Sequence, residues 1–582
     1  MLMGLDRYKL GASMIPRRTL LAGAPLALVA CRTAESAYFG RTDPPQRQRL
    51  VAVLGVEPGS LDPATSAELI EERVIYALFE GLTTLHPLTG EAMAGLATHY
   101  ELSSDGCRYT FYLRGHPGPI GTRLAGRHDL PKEYSRGLPA APDSRSPKWS
   151  DGVRVTAHDF VYSWRRTLDP STAVAFAYVM YCIVNAEEVN AGKLPPEKLA
   201  VQAIDDSTLQ VDLRFPVPFF LELAASKWLC SVPRHVIEAA GKAWTEAGRM
   251  VTSGAFTLRE RRAGEKLVLT RNPHYYEAHS VSLQELVFLP VIDPAASANL
   301  YRTADAVLTP TTPTLVPLVH RKKDYRATRV FGSYWALLKT TQPPFDDVRI
   351  RYALNMAIDK QAIANLIPGR TPAASLVPPM TGYQPANSMR VPLGESTVDV
   401  LAYNPRAARE MLEGAIGRTR LQTRFIHPPL PDFQLPGLIL QQQWRQTLAV
   451  EVELVQIDVA TWVQATFDKS YPGIVASGDA GPYVDPSYFL EEFTTSGASG
   501  SDWSDSTFDA MVAEAERTPD PKIRLGKLAK CEGHLLSAMP IVPWSTFLFP
   551  SLAKPYIKGL GNNLVDRQQF KYVWIDANWR PR

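Results

Sequence analysis

Apolar and polar positions alternate from Leu50 and the chain then bends at Pro58, as an opening strand does. Glu57-Pro58-Gly59-Ser60-Leu61-Asp62-Pro63 follows as a turn-rich loop that stops both helix and strand. The spacing then changes to that of a helix over Glu68 to Glu80, with Ile70, Val74, Ala77 and Leu78 on one face. Thr98 to Leu113 reads as a hairpin turning at Ser103-Ser104-Asp105-Gly106. His116 to Lys148 has no periodicity and reads as a long surface loop.

Regular pattern resumes at Trp149. Thr156 to Thr167 is a helix capped by Thr156, with Asp159 at the capping-box position and Phe160, Val161 and Trp164 on its apolar face. A strand at Thr208 to Phe215, helices at Pro218 to Ala225 and Arg234 to Ala240, and a strand at Glu265 to Arg271 follow. Phe345 to Ile367 is the clearest amphipathic helix, with Ala353, Leu354, Ala357, Ile358 and Ile363 at helical spacing. Strands and helices alternate without internal repeats, so the class is mixed α/β.

The N-terminus carries a different pattern. Arg17 and Arg18 precede a short apolar run that ends at Leu28-Val29-Ala30-Cys31, with the three parts of a secretory signal. The run is too short to span a bilayer, which takes roughly 20 residues. The quartet resembles the bacterial lipobox, which implies a lipid on Cys31 and, from 31 to 46, a flexible tether. Export by the general or the twin-arginine route and a start at Met14 are all open.

Composition adds bounds. With 62 Lys and Arg against 59 Asp and Glu, the formal net charge of +3 draws the chain neither to nucleic acid nor to acidic lipid as a whole. A mature chain of about 550 residues divides into two or three domains. Cys107, Cys182, Cys230 and Cys531 leave disulfides or free thiols equally open.

Several segments, in order, look like the solute-binding lipoproteins of oligopeptide and dipeptide ABC transporters (solute-binding protein family 5). They are the 57–63 loop with Leu78-Phe79-Glu80-Gly81-Leu82, and Trp149-Ser150-Asp151-Gly152 running on to Arg166. Ala203-Ile204-Asp205-Asp206, Val251-Thr252-Ser253-Gly254-Ala255-Phe256 and Asn272-Pro273-His274-Tyr275-Tyr276 come next. Pro343-Pro344-Phe345-Asp346-Asp347 to Asp359-Lys360, and Lys554-Pro555-Tyr556 near the end, complete the set. Physically these report scaffold: in Trp149-Ser150-Asp151-Gly152, Gly permits a positive φ and Asp closes the turn.

The resemblance implies a two-lobed periplasmic-binding-protein (Venus flytrap) fold of the large three-domain subclass, with mixed sheets flanked by helices. Domain I is expected at 47–88, 205–255 and 549–582, domain II at 89–204 with 116–148 inserted, and domain III at 256–548. The implied function is that of an extracytoplasmic lipoprotein, in the periplasm or cell envelope, that delivers peptides or a related small solute to an ABC permease and its ATPases. It implies a monomer with a lipid anchor as its one membrane contact and without nucleic acid, metal or cofactor. The alternative is a surface interaction or sensing protein that kept the fold.

Ligand contacts are expected from Thr65, Ser66, Thr252, Ser253, Gly254 and Gly478, with main-chain groups holding the peptide as an added strand. Asp479 is the candidate for a ligand ammonium, as Pro482 occupies the other register's position, and Trp462 and Tyr483 are candidate lining aromatics. Arginines that relatives carry between Phe467 and Gly478 are replaced here, where Lys469 is the lone cation. There is no GxSxG, HExxH or Walker motif, so the chain reads as a binder and not an enzyme.

Overall fold

The first strand forms where the pattern places it. β1 (Arg49–Val53) buries Leu50, Val51, Ala52 and Val53 on both faces, because it is flanked by parallel strands. This computed structural model describes residues 37–581 apart from 67–68, 119–120, 139–144, 175, 418 and 498. The lipid candidate Cys31 and the whole signal-like segment before it therefore lie outside the described residues.

β1 belongs to a ten-stranded mixed sheet with β2 (Phe256–Arg262), β3 (Lys266–Arg271), β4 (Glu285–Leu289), β5 (Leu308–Pro310) and β6 (Tyr325–Leu338). β7 (Gln422–His427), β8 (Glu451–Gln456), β9 (Ile474–Ala480) and β10 (Ile541–Ala553) complete it, in the order β8-β7-β9-β6-β10-β5-β1-β4-β3-β2. Strands β2 to β5 thus sit with β1, so the boundary expected at 255 does not coincide with a break in the sheet. The long antiparallel pair β6 and β10 joins the two halves: Leu552 and Ala553 lie at the β5 end, while Ile541 pairs with Leu337 beside β9. Their ladder is irregular between Arg329 and Ser333, where Phe331 instead donates to the Leu564 carbonyl.

A second sheet of five strands carries the 97–113 hairpin, whose turn at Gly106 has φ +71°. Helix α1 (Leu69–Leu78) buries Val74, Ala77 and Leu78, and α2 (Ala157–Leu168) starts at Thr156, whose N–H donates to Asp159 Oδ2 at 2.8 Å. Trp149 is fully buried, Gly152 has φ +93°, and Asp151 Oδ1 accepts from the Val153 N–H.

Four expectations change. The 345–367 helix is two helices, α3 (Val348–Met356) and α4 (Lys360–Ala364). Its apolar positions are buried as expected, but Asp359 caps α4 by accepting the N–H groups of Gln361 and Ala362, which ends the first helix. Between Pro218 and Ala225 only Phe220–Leu223 is helical.

The 116–148 loop is not a bare surface loop. Leu124, Arg127, Leu130 and Tyr134 are buried, and Thr122–Arg123 adds a short strand. Arg127 reaches Ser280 Oγ at 2.6 Å and Glu277 at 3.6 Å, Tyr134 donates to the Leu560 carbonyl, and Glu133 accepts the Gly559 N–H. The segment is a strap onto residues 277–280 and 559–560.

The tether also ends early. Phe39 donates its N–H to the Asp324 carboxylate, stacks on Tyr301, and receives Lys554 Nζ on its carbonyl at 3.1 Å. From Tyr38 the chain is docked, and Tyr38–Arg582 is one compact unit. Cys107, Cys182, Cys230 and Cys531 are free thiols.

Candidate functional site

β9 supplies the core of the site. Ile474, Val475 and Ala476 are fully buried, which anchors the strand between β6 and β7. Pairing with β7 stops at Val475, and the Ala476 carbonyl accepts the Trp462 indole N–H at 2.8 Å. Beyond it no strand pairs with that edge among the described residues. Main-chain groups two residues apart point the same way, so Gly478 turns its N–H and carbonyl to this open edge. Its glycine identity has a packing cause: a Cβ there would lie 2.7 Å from the Tyr334 ring across the β6 pairing.

The next residue carries the charge. Asp479 Oδ1 accepts the Ala480 N–H at 2.6 Å, and Oδ2 accepts the Tyr488 hydroxyl at 2.8 Å. Glu492 hydrogen-bonds the same carboxylate. Burial raises both acids above the ordinary carboxylate range, and for Glu492 the neighbouring Asp479 adds to it. Two enclosed carboxyls so close disfavour ionising together, which favours a proton shared between them. Glu491 and Glu516 form a second such pair, raised first by burial.

Residues distant in sequence close over this cluster. Tyr178 lies near Tyr488, and the Phe219 ring stacks on Tyr483 at 4.0 Å with planes 9° apart. Arg524 holds Asp485 through two bonds of 2.7 and 3.0 Å and lies 5.7 Å from the Phe219 ring centre. The acidic-Pro landmark at Asp485 is therefore a buried ion pair that fixes the loop after β9.

The remaining candidates make other contacts. The Thr65 hydroxyl is exposed and bonds Ser60, and Ser66 is buried. Thr252 directs both main-chain groups at Ser150, and Ser253 Oγ accepts the Glu80 N–H. Gly254 donates to the Leu78 carbonyl and accepts from Asn272 Nδ2. A Cβ on Gly254 would lie 2.6 Å from the Leu78 carbonyl carbon, so this glycine serves the approach to α1. These groups link α1, the Trp149 turn and the 272 turn, leaving Trp462, Gly478, Asp479 and Tyr483 as the set brought together.

Sequence reasoning missed Glu492, Tyr178, Phe219 and Arg370. Adjacent Glu491-Glu492 closing an apolar run was a legible signal. Arg370 was not: its side chain is buried, bonds Asp432 at 2.5 Å and lies 5.4 Å from the Tyr334 ring centre. Lys469, the cation the sequence offered, is exposed. Among the described residues no group of three or more His, Cys, Asp or Glu side chains is arranged to hold a metal.

Comparisons with known proteins show the family. Residues 147–501 match the family described as bacterial extracellular solute-binding proteins, family 5. The chain is 30% identical to the periplasmic murein peptide-binding protein MppA of Escherichia coli, over 91% of this chain and 94% of that protein. It is 29% identical to the periplasmic oligopeptide-binding protein OppA of the same organism, over 96% and 99%. The structure of Haemophilus influenzae OppA in complex with RPPGFSPFR superposes with a TM-score of 0.76 at 26% identity, covering 92% of this chain and all of that one.

Proposed function

The chain belongs to the family 5 extracellular solute-binding proteins, and on that basis we propose that it captures a peptide between two lobes and presents it to an ABC importer. It is a binding protein and not an enzyme; ATP is hydrolysed by the importer's own subunits. The observation that carries the peptide reading is the open edge at Gly478 beside the Asp479 carboxylate. An extended peptide adds to such an edge by main-chain hydrogen bonds, and its ammonium takes the place of the proton shared by Asp479 and Glu492.

In this reading the first lobe comprises residues 38–88, 205–310 and 549–581 with the 89–204 domain strapped to it, and the second comprises 325–548. β6 and β10 are the crossing strands. Ligand contacts to both lobes favour the closed arrangement, in which Phe219 covers Tyr483. Cys31 carries the lipid that keeps the protein at the envelope. Trp462 and Tyr483 line the ligand space, and Arg370 is a candidate for a ligand carboxylate. Calorimetry with tri-alanine and with longer defined peptides tests the proposal: saturable binding supports it, and no heat with any of them overturns it.

A further inference from the structure

The N-terminal segment leaves the folded unit at a fixed place. Phe39 is clamped by Asp324, Tyr301 and Lys554, Arg41 donates its N–H to the Arg302 carbonyl, and Gly40 lies so close to Arg302 that a Cβ would meet its carbonyl oxygen at 2.4 Å. Gly40 has φ +84°, which lets this contact form without strain. The position of Tyr38 is therefore set by the fold and not by a floppy linker.

The surface at that exit combines aromatic and basic side chains. A recess of about 630 Å³ there is lined by Tyr38, Lys323, Lys558, Asp576, Trp579 and Arg580. Tyr38 and Trp579 meet edge to face at 5.6 Å, and Lys323 lies over the Tyr38 ring. Arg321 and Lys322 adjoin Lys323 in sequence, and Arg41 and Arg302 flank the exit. These basic side chains gather at one place, while the chain as a whole has a formal net charge of +3. Tyr and Trp beside Lys and Arg is the composition that suits a membrane–water interface.

Chain length ties the two features together. Cys31 is seven residues before Tyr38, a reach of at most about 25 Å fully extended. We propose that the recess and its basic rim are a membrane-contact surface for anionic phospholipid, which holds the protein in one orientation on the bilayer. The proposal rests on the lipid-anchor reading of Cys31. The anchor supplies proximity, while the aromatic pair and the basic side chains choose the face that meets the headgroups. Attraction acts over roughly a Debye length, about 8 Å at physiological salt, so a short tether and a fixed exit are what make a modest patch effective.

The test uses a lipid-free chain starting at Arg32, which keeps the whole compact unit Tyr38–Arg582. Co-sedimentation is measured with phosphatidylcholine vesicles, with and without phosphatidylglycerol, at low and high salt. Binding to the anionic vesicles alone, lost at high salt, is expected. The triple variant Lys323→Glu, Lys558→Glu, Arg580→Glu should weaken it about 100-fold, at about fivefold or more per side chain, with unchanged thermal unfolding. Tyr38→Ala serves as a second variant should the triple one unfold, and should weaken anionic-vesicle binding. Equal binding to both vesicles, none at low salt, or wild-type binding by a folded triple variant overturns the proposal. The mass of the protein from its own host reports separately on the anchor, since diacylglycerol on Cys31 is present or absent whatever the vesicles show.

Discussion

The Tyr488 hydroxyl donates to Asp479 Oδ2 at 2.8 Å, holding a carboxylate that also hydrogen-bonds Glu492. This contact keeps an acid in place where burial disfavours its charge. Asp479→Asn should weaken peptides with a free α-ammonium by about 2–5 kcal/mol, and leave N-acetylated peptides unchanged in calorimetry. Equal affinity of variant and wild type for the free amine removes Asp479 from the site.

The same pair predicts a pH dependence. Both acids are raised in the folded state, so between their unfolded and folded values the native protein binds more protons than the unfolded chain. Stability of the ligand-free protein therefore falls as pH rises through that window. Ligand affinity runs the other way, because a cation prefers the ionised pair. Thermal unfolding across pH should flatten in Glu492→Gln, and an unaltered profile would contradict the shared proton.

Lys360 predicts the opposite slope. Its ammonium is buried without a hydrogen-bond partner among the described residues, and burial lowers it from 10.5 to about 7. From about 7 up to its unfolded value the native state binds fewer protons, so stability rises with pH there and this group's contribution is least favourable below 7. Lys360→Met should remove that slope and stabilise the neutral-pH protein by about 1–3 kcal/mol, read from urea midpoints.

The strap gives a test within one segment. Arg127 is buried against Glu277 and Ser280, while Arg123 pairs with Asp129 at the surface. Arg127→Met should cost about 3–5 kcal/mol, since it strands a buried carboxylate. Arg123→Ala should cost less than about 1 kcal/mol. Equal costs would mean that the strap contributes no buried pairing.

The chain's periodicity carried its local elements, because helix faces such as Val74, Ala77 and Leu78 and caps such as Thr156 with Asp159 depend on neighbours within a few residues. The break at Asp359 was written in a residue type that competes for backbone N–H groups, yet the apolar stripe runs through it. Contacts between remote segments were illegible. Nothing in Glu133 or Tyr134 announces Gly559 or Leu560, and Arg370 needs the β6 and 432 neighbours to become a buried cation. Thr252 and Gly254 fitted a ligand role by type, but their main-chain groups close the scaffold, which local sequence does not display. At the candidate site, the proximity of Trp462, Gly478, Asp479 and Tyr483 was legible because all four lie in or close to β9 in sequence, and the packing of Phe219 on Tyr483 was not.

Native mass spectrometry of the protein purified from its own host tests peptide capture most directly. A ladder of masses that fragments as peptides, displaced by added tri-alanine, is the result expected. A single non-peptide mass, or a protein that stays empty when offered peptide mixtures, would contradict it.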